Sequence, residues 1–134
     1  MSLVLISSVR FADHVNPPGH PERVERAEVM QAVAAEWQQR GGAVREPRAA
    51  TRAELLRVHS DQHLAAIDQA AGRAVSLDPD TFTSPESRDV ALLAAGAAIV
   101  GVEAVFPAAA TRVLALVRPP GHHAERDHAM GFCL

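Results

Sequence analysis

Two stretches of this chain are unbroken aliphatic runs, Leu3 to Ser7 (LVLIS) and Thr111 to Val117 (TRVLALV). A run without polar alternation marks a strand covered on both faces, as in a parallel sheet held between helices. Between the runs the apolar residues take helical spacing instead. From Glu22 to Arg40 the residues Val24, Ala27, Met30, Val33, Ala34 and Trp37 recur every three or four positions, which predicts an amphipathic helix with Pro21 in its first turn and Gly41-Gly42 as its stop. Thr51 with Glu54 three residues on is a capping-box pattern that opens a shorter helix. A third helix is expected from about Ser60 to Ala71, closing at Gly72, and an Ala-rich one from Pro85 to Phe106, stopped by Pro107. Gly96 and Gly101 in the long helix permit close approach of a neighbouring backbone or strand. Strand, helices, strand predicts an α/β fold, and in such sheets ligands sit outside the carboxyl ends of the strands.

Composition narrows the partners. The chain has 134 residues, 48% of them hydrophobic and 22% charged, so it is long enough to bury roughly two-thirds of its unfolded surface in one core. No internal repeat or low-complexity linker interrupts it, and residues 1–134 read as one unit without an internal boundary. All thirteen basic residues are Arg and they are scattered, with a net charge of -3, so no basic stripe invites a nucleic acid. No apolar run reaches membrane-spanning length and no secretory leader is legible, so no membrane partner is expected. The single cysteine, Cys133, excludes an intrachain disulfide and, with the lack of a leader, predicts the cytoplasm.

The second aliphatic run feeds directly into RPPGHHAERDHAMGFCL, where His122 and His123 stand behind a Pro-Pro-Gly turn. Neighbours in an extended loop point different ways, so the pair is not expected to ligate one metal from one face. Two imidazoles with different partners can instead divide acid and base work around a reacting group. A zinc site built from His122, His123, His128 and Cys133 has suitable atoms, but its spacing matches no usual structural-zinc pattern. Cys133 follows Phe132 in an apolar setting that disfavours a nucleophilic thiolate. His14, His59 and His63 read as structural, with His63 facing out from its helix, and Arg26 reads as an ion-pair partner of Glu22 or Glu25.

RPPGHHAERDHAMGFC resembles the histidine-dyad signature of the zinc-dependent histone deacetylase superfamily, in the class II-like branch that also holds acetylpolyamine amidohydrolases and acetoin-utilisation proteins. GHPERVER (Gly19 to Arg26), RVHSDQHLAAI (Arg57 to Ile67) and DTFTSPESRDVALLAAGAA (Asp80 to Ala98) resemble further blocks of that family in the same order. The resemblance implies the arginase/deacetylase fold, a three-layer α/β/α domain with a mostly parallel sheet, of which this chain would be an N-terminal portion. It implies amide hydrolysis of acetyl-lysine or an acylated polyamine or other small amine, with His123 as general base and His122 as its electrostatic or acid partner. Gly131 would offer a backbone carbonyl near the acyl channel, Phe132 one channel wall, Asp80 a rim contact to substrate, and Arg26 the lining of an exit path for acetate. The family's Zn2+ ligands and its oxyanion-stabilising tyrosine would lie beyond Leu134, and indeed the chain contains no Tyr. The 134 residues alone are therefore expected to hold no metal and to be inactive, and the sheet edge left after the second strand predicts self-association. The alternative is a non-catalytic, partner-binding module that keeps this half of the fold.

Overall fold

The computed structural model of the chain describes residues 2–106 and 111–134. Strand β1 (Ser2–Ile6) is central, with β2 (Ala43–Arg45) on one side and β5 (Thr111–Ala115) on the other, all parallel, in the order β2-β1-β5. Val4, Leu5 and Ile6 are all buried, as an unbroken aliphatic run requires. Helix α1 (Glu25–Gln39) makes the crossover from β1 to β2, while α2 (Arg52–Leu55), α3 (Asp61–Gln69), the β3–β4 hairpin (Ser76–Asp78, Thr81–Phe82) and α4 (Ser87–Val105) lie between β2 and β5.

Side-chain alternation along the strands sorts these helices into layers. Leu3, Leu5 and Leu114 share a groove with Val33 and Trp37 of α1, whereas Ile6 and Val113 meet α4 at Gly101. Helix α1 thus covers one sheet face and α4 the other, which is the α/β/α arrangement. Ile6, Phe11, Ala27, Val90 and Ala97 form the fully buried centre, with Met30, Leu93, Val113 and Val117 packed against it. Each fully buried large aliphatic or aromatic side chain contributes about 1.5–3 kcal/mol.

The capping box at Thr51 is present, with the Thr51 side chain accepting from the Glu54 amide and the Glu54 carboxylate accepting from the Thr51 amide. Glu54 also takes both arms of Arg48, at 2.9 and 2.7 Å. The Arg48 bonds, and then the Thr51 amide, hold the Glu54 carboxyl down at about 2. Gly96 is where α4 meets this segment: a Cβ there would fall 1.7 Å from the Arg48 carbonyl oxygen, and the Ala50 amide donates to the Leu92 carbonyl at 2.9 Å beside it.

Several expectations need correction. Helix α1 starts at Glu25, so Pro21 is not in its first turn; the chain holds Pro21 and Glu22 in a loop because the Glu22 carboxylate is drawn into the interior. Strand β2 and the β3–β4 hairpin were not expected, and at two or three residues each they carry too little apolar pattern to be seen. The second aliphatic run, read as covered on both faces, is an edge strand among the described residues and has Leu114 half-exposed. His63 faces inward: it lies four residues before Ile67 and beside Leu64 on the buried stripe of α3. Pro107, expected to stop the long helix, lies outside the described residues.

Gly96→Ala forces Arg48 and α4 apart and is expected to destabilise the chain by roughly 1–3 kcal/mol, the usual cost of overpacking, although it raises helix propensity. Chemical denaturation of the two proteins measures this, and a variant as stable as the parent would contradict the close approach.

Candidate active site

The parallel order β2-β1-β5 creates a switch point, because the chain leaves β1 toward β2 and returns on its other side as β5. The loops that follow the carboxyl ends of β1 and β5 meet there, where α/β sheets form their binding crevices.

What joins the two loops is Arg118. It follows β5 closely and is completely buried. Its Nε donates to Glu22 Oε1 at 2.7 Å and one terminal nitrogen to Glu22 Oε2 at 2.9 Å. The other terminal nitrogen donates to the carbonyls of Phe11 and His14, both at 2.7 Å. Glu22 also accepts from Arg26 at 2.7 Å and from Asn16 Nδ2 at 2.8 Å, with His14 Nε2 at 3.4 Å. Burial by itself would push the Glu22 carboxyl up; the bonds from His14 and Arg118, the Arg118 charge and the Arg26 bond outweigh it and bring the group down to about 2. His14, only 1% exposed, is fixed through Nδ1 to Ser87 Oγ at 2.7 Å at the start of α4.

Beyond Arg118 the loop is pinned again. His59 Nδ1 donates to the Glu125 carbonyl at 3.0 Å, the Ser60 amide donates to the Arg126 carbonyl at 2.9 Å, and His128 Nε2 lies 3.3 Å from Asp78 Oδ2 on the hairpin. Met130 and Cys133 form an antiparallel bridge. Between these anchors the His122 and His123 rings lie 4.2 Å apart, centroid to centroid, at 60°.

A pocket of about 330 Å³ is lined by Pro21, Glu22, Arg26, Pro120, His122, His123, Gly131 and Phe132. The two imidazoles therefore face one cavity, contrary to the expectation that neighbours in this loop point different ways. His123 Nδ1 lies 3.2 Å from the Gly131 carbonyl oxygen. A carbonyl only accepts, so the ring proton sits on Nδ1 and the lone pair is left on Nε2, the arrangement of a base. Gly131 has φ +58°, and a Cβ on it would fall 2.5 Å from that same Nδ1, so glycine is what lets the carbonyl come so close. Phe132, at φ +70°, is held in a left-handed conformation that costs about 1–3 kcal/mol, with its amide donating to the buried Thr81 hydroxyl at 3.0 Å.

Asp80 does not line this pocket itself. It is exposed on the hairpin turn, and its carboxylate accepts from the Thr81 hydroxyl at 3.0 Å. Of the four donors weighed as a zinc site, His122, His123 and Cys133 come within 4.8 Å of one another, while His128 turns away to Asp78. Cys133 is wholly buried and its sulfur accepts the His123 amide at 3.3 Å. His122, His123 and Cys133 are thus donors close enough to share an ion, with the thiol already accepting an amide and no carboxylate among them.

Sequence reasoning missed Arg118, His20, Asn16 and Ser87, and read His14 as structural without the partners that hold it. For Arg118 a signal existed: a guanidinium abutting a run of buried aliphatics, ahead of two prolines, has nowhere to go but inward. For His14 and Ser87, far apart in the chain, there was none.

Removing half of a buried ion pair costs about 3–5 kcal/mol, so Arg118→Met is expected to lose that much. The acid limb of stability is expected to fall in two windows. His63 has its pKa lowered, by burial first and then by the His59 charge, so stability is lost as pH drops below the ordinary imidazole range. Glu22, held at about 2 against an ordinary 4.5, adds stability that is full above 4.5 and disappears as pH falls toward 2. Thermal unfolding against pH tests both, and His63→Gln should flatten only the upper window.

Residues 20–134 match the family model for the histone deacetylase domain. A probable deacetylase of Methanothermobacter thermautotrophicus is 37% identical over 98% of this chain and 39% of its own length. The histone deacetylase-like amidohydrolase of Pseudomonas aeruginosa is 43% identical over 60% of this chain and 21% of its own. The crystal structure of the HDA15 HD domain superposes with a TM-score of 0.86 at 33% identity, over 99% of this chain and 40% of that one. The chain thus spans less than half the length of these relatives, and its sheet and helices are part of the arginase/deacetylase fold. It belongs to the histone deacetylase family.

Proposed function

We propose that the chain carries the proton-transfer portion of an amide-hydrolysing active site, acting on acetyl-lysine or an acylated small amine. The observation that supports this reading is the pair of imidazoles 4.2 Å apart on one pocket wall, with the His123 proton committed to the Gly131 carbonyl. His123 Nε2 takes the proton from the attacking water as its oxygen bonds to the acyl carbon. The C–N bond then breaks and the leaving amine receives a proton from the dyad, with His122 as the partner ring. Phe132 forms an apolar side of the space that holds the acyl chain. Arg26, its guanidinium on the pocket and tied to Glu22 at 2.7 Å, presents a positive charge to the carboxylate product.

The family's metal is zinc, which would polarise the acyl carbonyl. Its ligands lie outside residues 1–134, and the 134 residues alone are inactive. Acetate release from acetyl-lysine peptides and acetylpolyamines, measured for the chain alone and for the whole protein with zinc, tests the reading. The expected outcome is no turnover by the chain, turnover by the whole protein, and a loss of about 10²–10⁴ in kcat/KM in His123→Ala, the span a general base contributes. Undiminished turnover in folded His123→Ala would reject the assignment.

A further inference from the structure

We infer that His20 is a positioning residue that sets the Phe132 wall of the pocket, an inference that rests on the amidohydrolase reading only for its kinetic consequence. His20 precedes Pro21 and Glu22, both of which line the pocket. Its Nδ1 lies 3.1 Å from the Glu22 amide nitrogen and 3.0 Å from the Glu22 carbonyl oxygen, and its Nε2 donates to the Asp80 carbonyl at 3.0 Å on the hairpin turn. The ring is thereby clamped between the loop that carries Glu22 and the turn joining β3 to β4. Held there, it meets Phe132 edge-on at 4.7 Å and Phe82 at 5.7 Å and 90°, both within the range of attractive ring pairs.

Phe132 needs such a brace. Its backbone, at φ +70°, is held by the Met130–Cys133 bridge that closes the turn around it and by the Thr81 hydroxyl that accepts its amide, and these leave the ring itself to be held. His20 therefore ties together three parts of the pocket that are distant in sequence: the loop after β1, the β3–β4 turn and the Gly131-Phe132 segment. Its ring contacts are with Phe82 and Phe132 and its bonds with Glu22 and Asp80, so its effect falls on how the channel grips the substrate chain. A grip that is equal in the ground and transition states appears in KM and not in kcat.

Two measurements test this, and only one needs turnover. In the ring spectra of the phenylalanine-labelled chain, His20→Ala is expected to shift Phe82 and Phe132 and leave Phe11 and Phe106 in place; an unmoved Phe132 overturns the inference. In the whole protein, His20→Ala is expected to raise KM for an acyl-amine substrate about ten-fold with kcat within about two-fold. His20→Phe, which restores a ring against Phe132, should bring KM most of the way back. Unchanged KM, a collapse of kcat, or no rescue by His20→Phe overturns it. Absence of turnover in the unsubstituted protein would sink the amidohydrolase reading while the spectra still decide the role of His20.

Discussion

A guanidinium removed from water must find a carboxylate and several acceptors, or the fold does not form. Arg118 finds Glu22 and two backbone carbonyls, and each partner lies in the loop after β1. The loop after β5 is thus fastened to the loop after β1 at the point where their strands end side by side. The pocket is the space these loops enclose. The dyad begins four residues beyond the anchor, with Pro119, Pro120 and Gly121 between, so the position of the two imidazoles is inherited from the ion pair more than from any contact of their own.

The same dependence explains what could be read in the letters. The aliphatic runs announced β1 and β5 because a strand covered on two faces has one composition. The Thr51–Glu54 box announced α2 because both of its bonds are local. Gly96 suggested close approach, and the Arg48 carbonyl is what approaches. By contrast, β2 is three residues long, and Glu22 looked like the partner of a surface arginine on a helix. Its principal partner is ninety-six residues away, a distance over which periodicity and capping rules say nothing. The inward turn of His63 was missed for a different reason, since a polar residue on the stripe of Leu64 and Ile67 breaks the pattern by which such stripes are recognised.

For the candidate site, residue types were legible and their geometry was not. His122, His123, Gly131, Phe132 and Arg26 line one pocket, while Asp80 stands outside it. The sequence put both rings at one reacting group but, because extended backbone alternates its side chains, not on one face. Here the turn from Gly121 to Ala124, closed by a 3.2 Å backbone hydrogen bond, removes that alternation and sets the rings together. Asp80 stays exposed on the hairpin turn, its backbone carbonyl accepting from His20 and its carboxylate from the Thr81 hydroxyl.

One asymmetry in the buried pair constrains how descendants of this chain can diverge. Ion pairs on a surface can exchange their signs between partners and keep their attraction. Arg118 and Glu22 cannot, because two of the arginine's four bonds end on the oxygens of Phe11 and His14. A carboxylate at position 118 would set its negative charge against two carbonyl dipoles, and an arginine at position 22 would meet Arg26 where it now meets nothing of its own sign. The doubly inverted chain would regain the attraction between the two side chains but not the two bonds to backbone oxygen, so exchanging the signs does not restore what the buried pair does.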